Sequence, residues 1–236
     1  MVNIGITVFP GSNCDRDVYT VFKKNLKVNT NFVQDNDKID KFDAIIIPGG
    51  FTYGDRLRAG VIASKSPLMD KIKDKADNGV PILGICNGFQ ILVESGLLPG
   101  ALVPNKSLRF ICKWISTVVT NNKTPFTNLF KEKQIISIPI AHGEGRYIVD
   151  KQSYEKIKNN SQIVMRYTNE NPNGSVNDIA AICNLKGNIM GMMPHPERAS
   201  YKDITPNGFS TDAINIFKSL IKYISKWYDL LLKWIF

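Results

Sequence analysis

The sequence predicts a single α/β domain: a mostly parallel central sheet with helices on both faces and an antiparallel extension. Three observations carry this. Short apolar runs alternate with helix-compatible stretches through the first hundred residues, as in a parallel sheet covered on both faces. The second half is richer in strand-like runs, which fits an extension of that sheet. No Ser/Gly/Pro linker divides the 236 residues, and a length somewhat beyond ~100–200 residues is still compatible with one large domain.

Residues 4–9 form an apolar run that ends in the turn Pro10-Gly11-Ser12. Residues 13–24 read as a helix, with Ser12 or Asn13 as cap and Asp15 in its first turn. Residues 30–33 and 42–47 read as strands, the second stopped by Pro48-Gly49-Gly50. Residues 57–77 are mostly helical, with a break at Pro67. Residues 80–85 are a further strand, and 87–95 a short helix closed by Gly96. Strands are then expected at 113–120, 134–138, 147–149, 163–167, 179–184 and 189–193, the last ending at Pro194. Ile214, Phe217, Ile221, Ile224, Tyr228, Leu231 and Ile235 recur at three- and four-residue steps, one apolar stripe on a closing helix. The domain is therefore drawn as 1–226, with 227–236 as an aromatic helical tail.

Composition narrows the function classes. The apolar share is 43%, ordinary for a packed protein. No basic leader with a small-residue cleavage site precedes the first strand, and no run of ~18 apolar residues suggests a membrane span. Four cysteines (Cys14, Cys86, Cys112, Cys183) show no CxxC pairing, which fits a reducing cytoplasm rather than a disulfide scaffold or structural zinc site. The formal charge of +9 comes without a basic block interleaved with aromatics, so a lysine-rich surface is expected and no nucleic acid.

Chemistry concentrates at Gly84-Ile85-Cys86-Asn87-Gly88. A strand enters G-x-C-x-G and a helix leaves it, the cysteine form of the elbow that presents a nucleophile. The turn lifts the thiol to the carboxyl edge of the sheet, and the helix N-terminus favours a thiolate there. Cys14, Cys112 and Cys183 lack this context and read as structural. Acyl transfer needs a base and a group to orient it. Only two histidines exist, in His142-Gly143-Glu144 and His195-Pro196-Glu197, each with a glutamate two residues on. Spacing leaves both open. The strand-end position favours His195, while Gly143 and Gly145 suggest a flexible loop around His142. Oxyanion donors are expected from the amide of Asn87 and from the turn Pro48-Gly49-Gly50-Phe51. No metal or bound cofactor is called for.

Gly84-Ile85-Cys86-Asn87-Gly88-Phe89-Gln90 resembles the nucleophile motif of class I glutamine amidotransferases, a flavodoxin-like α/β family. His195-Pro196-Glu197 resembles its His-x-Glu pair, and Pro48-Gly49-Gly50 its oxyanion strand. Within that class, Phe9-Pro10-Gly11-Ser12-Asn13-Cys14-Asp15, Pro48-Gly49-Gly50-Phe51-Thr52-Tyr53-Gly54-Asp55, Leu57-Arg58-Ala59-Gly60, Asn87-Gly88-Phe89-Gln90 and His142-Gly143-Glu144-Gly145-Arg146-Tyr147 resemble the glutaminase subunits of phosphoribosylformylglycinamidine synthases. The matches run from residue 4 to about residue 217. The resemblance implies a triad of Cys86, His195 and Glu197, Gly50 and Asn87 as oxyanion donors, and Gln90 near the substrate. It implies hydrolysis of L-glutamine to L-glutamate and ammonia for a large synthetase that uses ATP and Mg, with a small bridging subunit, in purine synthesis. His142, Arg146, Asp55 and Arg58 are then candidates for a substrate or interface loop. The aromatic tail is longer than the family's pattern and inherits no role. Rival readings are a related γ-glutamyl hydrolase, the glutaminase of another synthetase, or a catalytically silent regulatory subunit.

Overall fold

The computed structural model describes residues 1–235, with side chains described through residue 226. The strands are β1 (Asn3–Thr7), β2 (Asn29–Val33), β3 (Ala44–Ile47), β4 (Ile82–Ile85), β5 (Ala101–Val103), β6 (Ile111–Val119), β7 (Ile135–His142), β8 (Arg146–Ile148), β9 (Ile163–Thr168), β10 (Ile179–Cys183) and β11 (Ile189–Met192). The α-helices are α1 (Asp15–Tyr19), α2 (Pro67–Asp77), α3 (Asn87–Glu94), α4 (Lys151–Asn159) and α5 (Ile214–Ile235). Nine strands form one sheet in the order β2-β1-β3-β4-β11-β10-β9-β6-β7. The run from β2 to β11 is parallel, and the four strands beyond it pair antiparallel. β5 and β8 make a separate antiparallel pair. The expected α/β domain with an antiparallel extension is therefore present.

Every residue of β3, β4 and β11 is buried. Strands this apolar need cover on both faces, which is why they occupy the centre of the sheet. Phe22, in the π-helical turn Thr20–Asn25 that continues α1, meets Phe217 of α5 edge-to-face at 5.0 Å. This contact ties the first and last helices together. Ile216, Phe217, Leu220 and Ile224 carry the buried stripe of α5. Ile214 and Ile221 only flank it, a small rotation from the expected face. The aromatic tail 227–236 lies outside the described side chains. Among the described residues no helix is long and apolar enough to cross a membrane.

Several boundaries differ from expectation for physical reasons. The helix expected from residue 57 begins at Pro67, which occupies its first turn; proline there forfeits only an N–H that has no helical partner. Upstream, Leu57 and Gly60 adopt positive φ of 68° and 80°, incompatible with a helix. α1 is preceded by Cys14 with no side-chain cap, because the Ser12 hydroxyl instead accepts the Phe9 N–H at 3.1 Å. The strand expected to stop at residue 138 runs on through Pro139 to His142. β7 is the sheet's edge, where proline costs no ladder bond. α4 has no counterpart among the expected helices: Ile157 is its one buried residue, and its start is set by Asp150 accepting the Ser153 N–H at 3.0 Å.

Candidate active site

The elbow at Cys86 is built by close approach of backbone. Gly84 pairs with Ile47 of β3 on one side and Gly191 of β11 on the other. A Cβ at Gly88 would lie 2.0 Å from the Ile47 carbonyl oxygen, and one at Gly84 2.6 Å from that of Gly88. Only glycine lets α3 start so close to the sheet. Between them Cys86 has φ 51° and ψ −106°, a strained conformation that costs about 1–3 kcal/mol and persists only where neighbours enforce it. The Cys86 N–H donates to Met192 C=O at 2.7 Å, one of those constraints. Cys86 is 5% exposed, and its thiol sits 3.7 Å from the Ala141 carbonyl oxygen on β7.

His195 follows β11, the strand beside β4. Its N–H donates to Pro139 C=O at 2.8 Å, so the unexpectedly long edge strand fixes the base. His195 Nδ1 lies 2.6 Å from Glu197 Oε1, with both side chains buried. A carboxylate can only accept, so Nδ1 carries the proton and Nε2 is left as the working nitrogen. Nε2 has no hydrogen-bond partner among the described residues. Burial alone would lower the imidazole pKa; the Glu197 carboxylate, Cys86 and Cys14 outweigh it and hold His195 well above its usual range. An imidazolium beside the thiol is what a thiolate nucleophile requires. A Cβ placed on Gly49 would be 2.8 Å from His195 Cε1, 3.1 Å from Cys14 Sγ and 3.4 Å from Cys86 Cβ. Thus Gly49, Cys86, His195 and Cys14 converge on one point.

The structural reading of Cys14 is corrected by its position. Arg198 Nη2 donates to its Sγ at 3.1 Å, and Arg198 Nε is 3.8 Å from Asp17. Cys14, His195 and Glu197 bring a thiol, an imidazole and a carboxylate within 4.8 Å of one another, a set that could ligate a metal. Here the guanidinium already provides the positive charge beside the sulfur, and the His195 N–H occupies one Glu197 oxygen. Cys14 was legible in principle: the turn after the first parallel strand also lies at the carboxyl edge where such sheets bind ligands.

The remaining predicted residues divide into two groups. Gly50, Asp55, Gln90 and His142 line, with Phe51, Cys86, Phe110, Ala141, Gly143 and Glu144, a cavity of about 190 Å³. Asn13 N–H to Gly49 C=O and Phe51 N–H to Gly11 C=O flank Gly50, and a Cβ there would meet the Gly11 oxygen at 2.6 Å. Asn87 Oδ1 accepts the Thr52 N–H at 3.1 Å, and its Nδ2 donates to Gln90 Oε1 at 2.8 Å. Gln90 Nε2 in turn donates to the Glu144 carbonyl at 2.6 Å. Arg58 and Arg146 lie elsewhere. Arg58 is exposed and ion-paired with Glu94. Arg146 Nε donates to Gly174 C=O at 3.2 Å and faces a groove with Lys106 and Asn171.

His142 is not in a flexible loop. It ends β7 and is 3% exposed. Asn105, which the sequence did not single out, holds it. Asn105 Nδ2 donates to the carbonyls of His142 at 2.8 Å and Arg109 at 2.9 Å, so its Oδ1 must be the acceptor. That oxygen takes the Gly145 N–H at 3.1 Å and lies 3.0 Å from His142 Nδ1. His142 is therefore the Nδ1–H tautomer, with a lone pair on Nε2. Burial, and next the charge of His195, lower its pKa to about 4.

A family model described as a CobB/CobQ-like glutamine amidotransferase domain matches residues 1–224. The chain belongs to the CobB/CobQ-like glutamine amidotransferase family. A solved structure of PurLQS from Thermotoga maritima contains a chain 44% identical to it, with a TM-score of 0.86, covering 94% of this chain and 99% of that one. A glutamine amidotransferase from Thermotoga maritima shares the fold at 14% identity and a TM-score of 0.58, over 94% of this chain and 97% of that one. The glutaminase domain of Trypanosoma brucei CTPS, solved with bound acivicin, does so at 15% identity and a TM-score of 0.55, over 94% of both. In this glutamine amidotransferase, the Cys86 elbow and the His195–Glu197 pair thus sit in a domain matched along nearly its whole length.

Proposed function

We propose that this glutamine amidotransferase is the glutaminase subunit of a phosphoribosylformylglycinamidine synthase, hydrolysing L-glutamine to L-glutamate and ammonia for a large synthetase subunit in purine synthesis. The observation that carries the chemistry is the buried 2.6 Å His195–Glu197 pair beside a strained cysteine at a helix start. The 44% identity to a PurLQS chain and the Phe51-Thr52-Tyr53-Gly54-Asp55 and His142-Gly143-Glu144-Gly145-Arg146-Tyr147 motifs support the choice of synthetase.

Cys86 sulfur attacks the carboxamide carbon, and the carbonyl electrons move onto oxygen, which the amides of Gly50 and Asn87 receive. Collapse of the tetrahedral intermediate breaks the C–N bond as His195 gives its proton to the departing nitrogen. Ammonia leaves and a γ-glutamyl thioester remains. His195, now neutral, takes a proton from water as it attacks the thioester, and glutamate departs as Cys86 is restored. Glu197 keeps Nε2 aimed at these atoms throughout, and Gln90 supports the substrate side of the cavity. ATP and Mg belong to the partner synthetase, and a small bridging subunit completes the complex. Ammonia release from glutamine, measured with and without the synthetase subunits, tests this. The rate should rise with the partner present, since ammonia made alone is wasted. Equal rates would refute partner control, and no ammonia from the complex would refute the glutaminase reading.

A further inference from the structure

The cavity beside Cys86 has more buried acceptors than donors. Glu144 Oε2 is buried with no hydrogen-bond partner among the described residues, and so is His142 Nε2, whose lone pair is fixed by the Asn105 contact. Asp55, held at φ 52°, places a third acceptor group in the same wall. The nearby side-chain amide donors are already engaged: Gln90 Nε2 on the Glu144 carbonyl and Asn87 Nδ2 on Gln90, with only a 3.4 Å contact to Asp55 Oδ1. Arg58, whose charge reaches Glu144, is bound to Glu94 on the surface. Buried acceptors without donors are rare in folded proteins and call for a ligand that supplies them. Two carboxylates facing one another call for that ligand to be a cation.

We propose that Asp55 and Glu144 seat the α-ammonium group of the amino-acid substrate, while His142 Nε2 accepts an N–H of its carboxamide. This rests on the glutaminase reading and specifies which part of glutamine each residue recognises. Cys86 fixes the carboxamide end, and His142, the histidine whose charge environment includes His195, is on that side. The ammonium end then falls to the carboxylates. In the empty site, burial and the Glu144 charge push Asp55 up to about 6. A bound ammonium reverses that and favours the carboxylate, so affinity should weaken as pH falls below about 6. Glu144, the buried, neutral His142 and the Cys86 thiol are the other titratable groups lining this space, with Arg58 beyond Glu144.

The test is calorimetric titration of the full chain carrying Cys86→Ala with L-glutamine and with glutaramate, which has hydrogen in place of the ammonium group. Charge-assisted hydrogen bonds are roughly twice as strong as neutral ones, so L-glutamine should bind about 100-fold more tightly. Adding Asp55→Asn or Glu144→Gln should each cut that preference about tenfold. The Tm of the Asp55→Asn protein should equal or exceed its parent's, because a like-charge contact is removed; a purely structural role would lower it. Equal affinity for the two ligands, no binding of L-glutamine, or a preference that survives both substitutions would overturn the proposal. Ammonia release by the unmodified chain in complex with the synthetase subunits is scored separately. Its absence alongside an intact binding preference would refute hydrolysis and leave the ammonium seat standing.

Discussion

Two turns of this molecule share a sequence pattern and have opposite chemistry. In both, a histidine ends a strand region and a glutamate follows two residues later. At His195 the glutamate reaches back to Nδ1 and the ring is held protonated. At His142 the ring's Nδ1 is taken by Asn105 instead, and burial keeps the imidazole neutral with a pKa of about 4. Glu144 turns into the cavity, where its charge adds to burial in raising Asp55, rather than pairing with its own histidine. Motif spacing thus places a base and an acid near each other, and the neighbours brought by the fold decide whether they become a pair.

Breaking each turn in the same way should separate them most. His195→Ala should reduce glutamine-dependent ammonia release by about 10⁴-fold or more, as loss of a triad base does. His142→Ala should leave turnover merely impaired, within about 100-fold. Steady-state assays with the synthetase present measure both, and a dead His142→Ala beside an active His195→Ala would exchange their roles. The glutamates should differ in kind as well as degree. Glu197→Gln should lower kcat by about 10²–10⁴-fold through loss of the orienting carboxylate. Glu144→Gln should act chiefly on KM, with kcat changed less than about tenfold.

A smaller effect follows from titration. His142 is lowered from 6.5 to about 4, so as pH falls from about 6.5 to 4 the unfolded chain takes up its proton first. Stability therefore declines across that window, by on the order of 3 kcal/mol from this residue. His195 has the reverse sign: its raised pKa contributes stability below 6.5 that is lost as pH climbs through the folded-state value. Urea unfolding of His142→Gln should show a shallower acid decline than the wild type. The difference between the two isolates His142 from Asp55, whose raised pKa acts in the opposite direction.

Much of this was legible in the sequence where local rules and tertiary demands agree. The parallel strands, the glycines around Cys86 and the turn at Gly49 are forced by apolar runs and close backbone approach, and both leave marks in one dimension. The nucleophile stood out for the same reason; His195 was favoured over His142 only by its strand-end position, and its triad with Glu197 came from the family resemblance. Contacts between distant segments were not legible. Asn105 locks His142 across 37 residues, and Arg198 reaches Cys14 across 184; neither has a periodic signature. Pro139 misled for a related cause: it reads as a strand stop unless its strand is known to be the sheet's edge. α4 escaped because a helix with one buried residue has almost no apolar stripe to detect.

The most direct test of the central claim is product formation by the assembled synthase carrying Cys86→Ala, supplied in turn with L-glutamine and with an ammonium salt. If Cys86 serves only to liberate ammonia, the complex should be inactive with glutamine, by about 10⁴-fold or more, and near wild-type with ammonium. Retained glutamine-dependent synthesis would contradict the account, as would equal loss with both nitrogen sources.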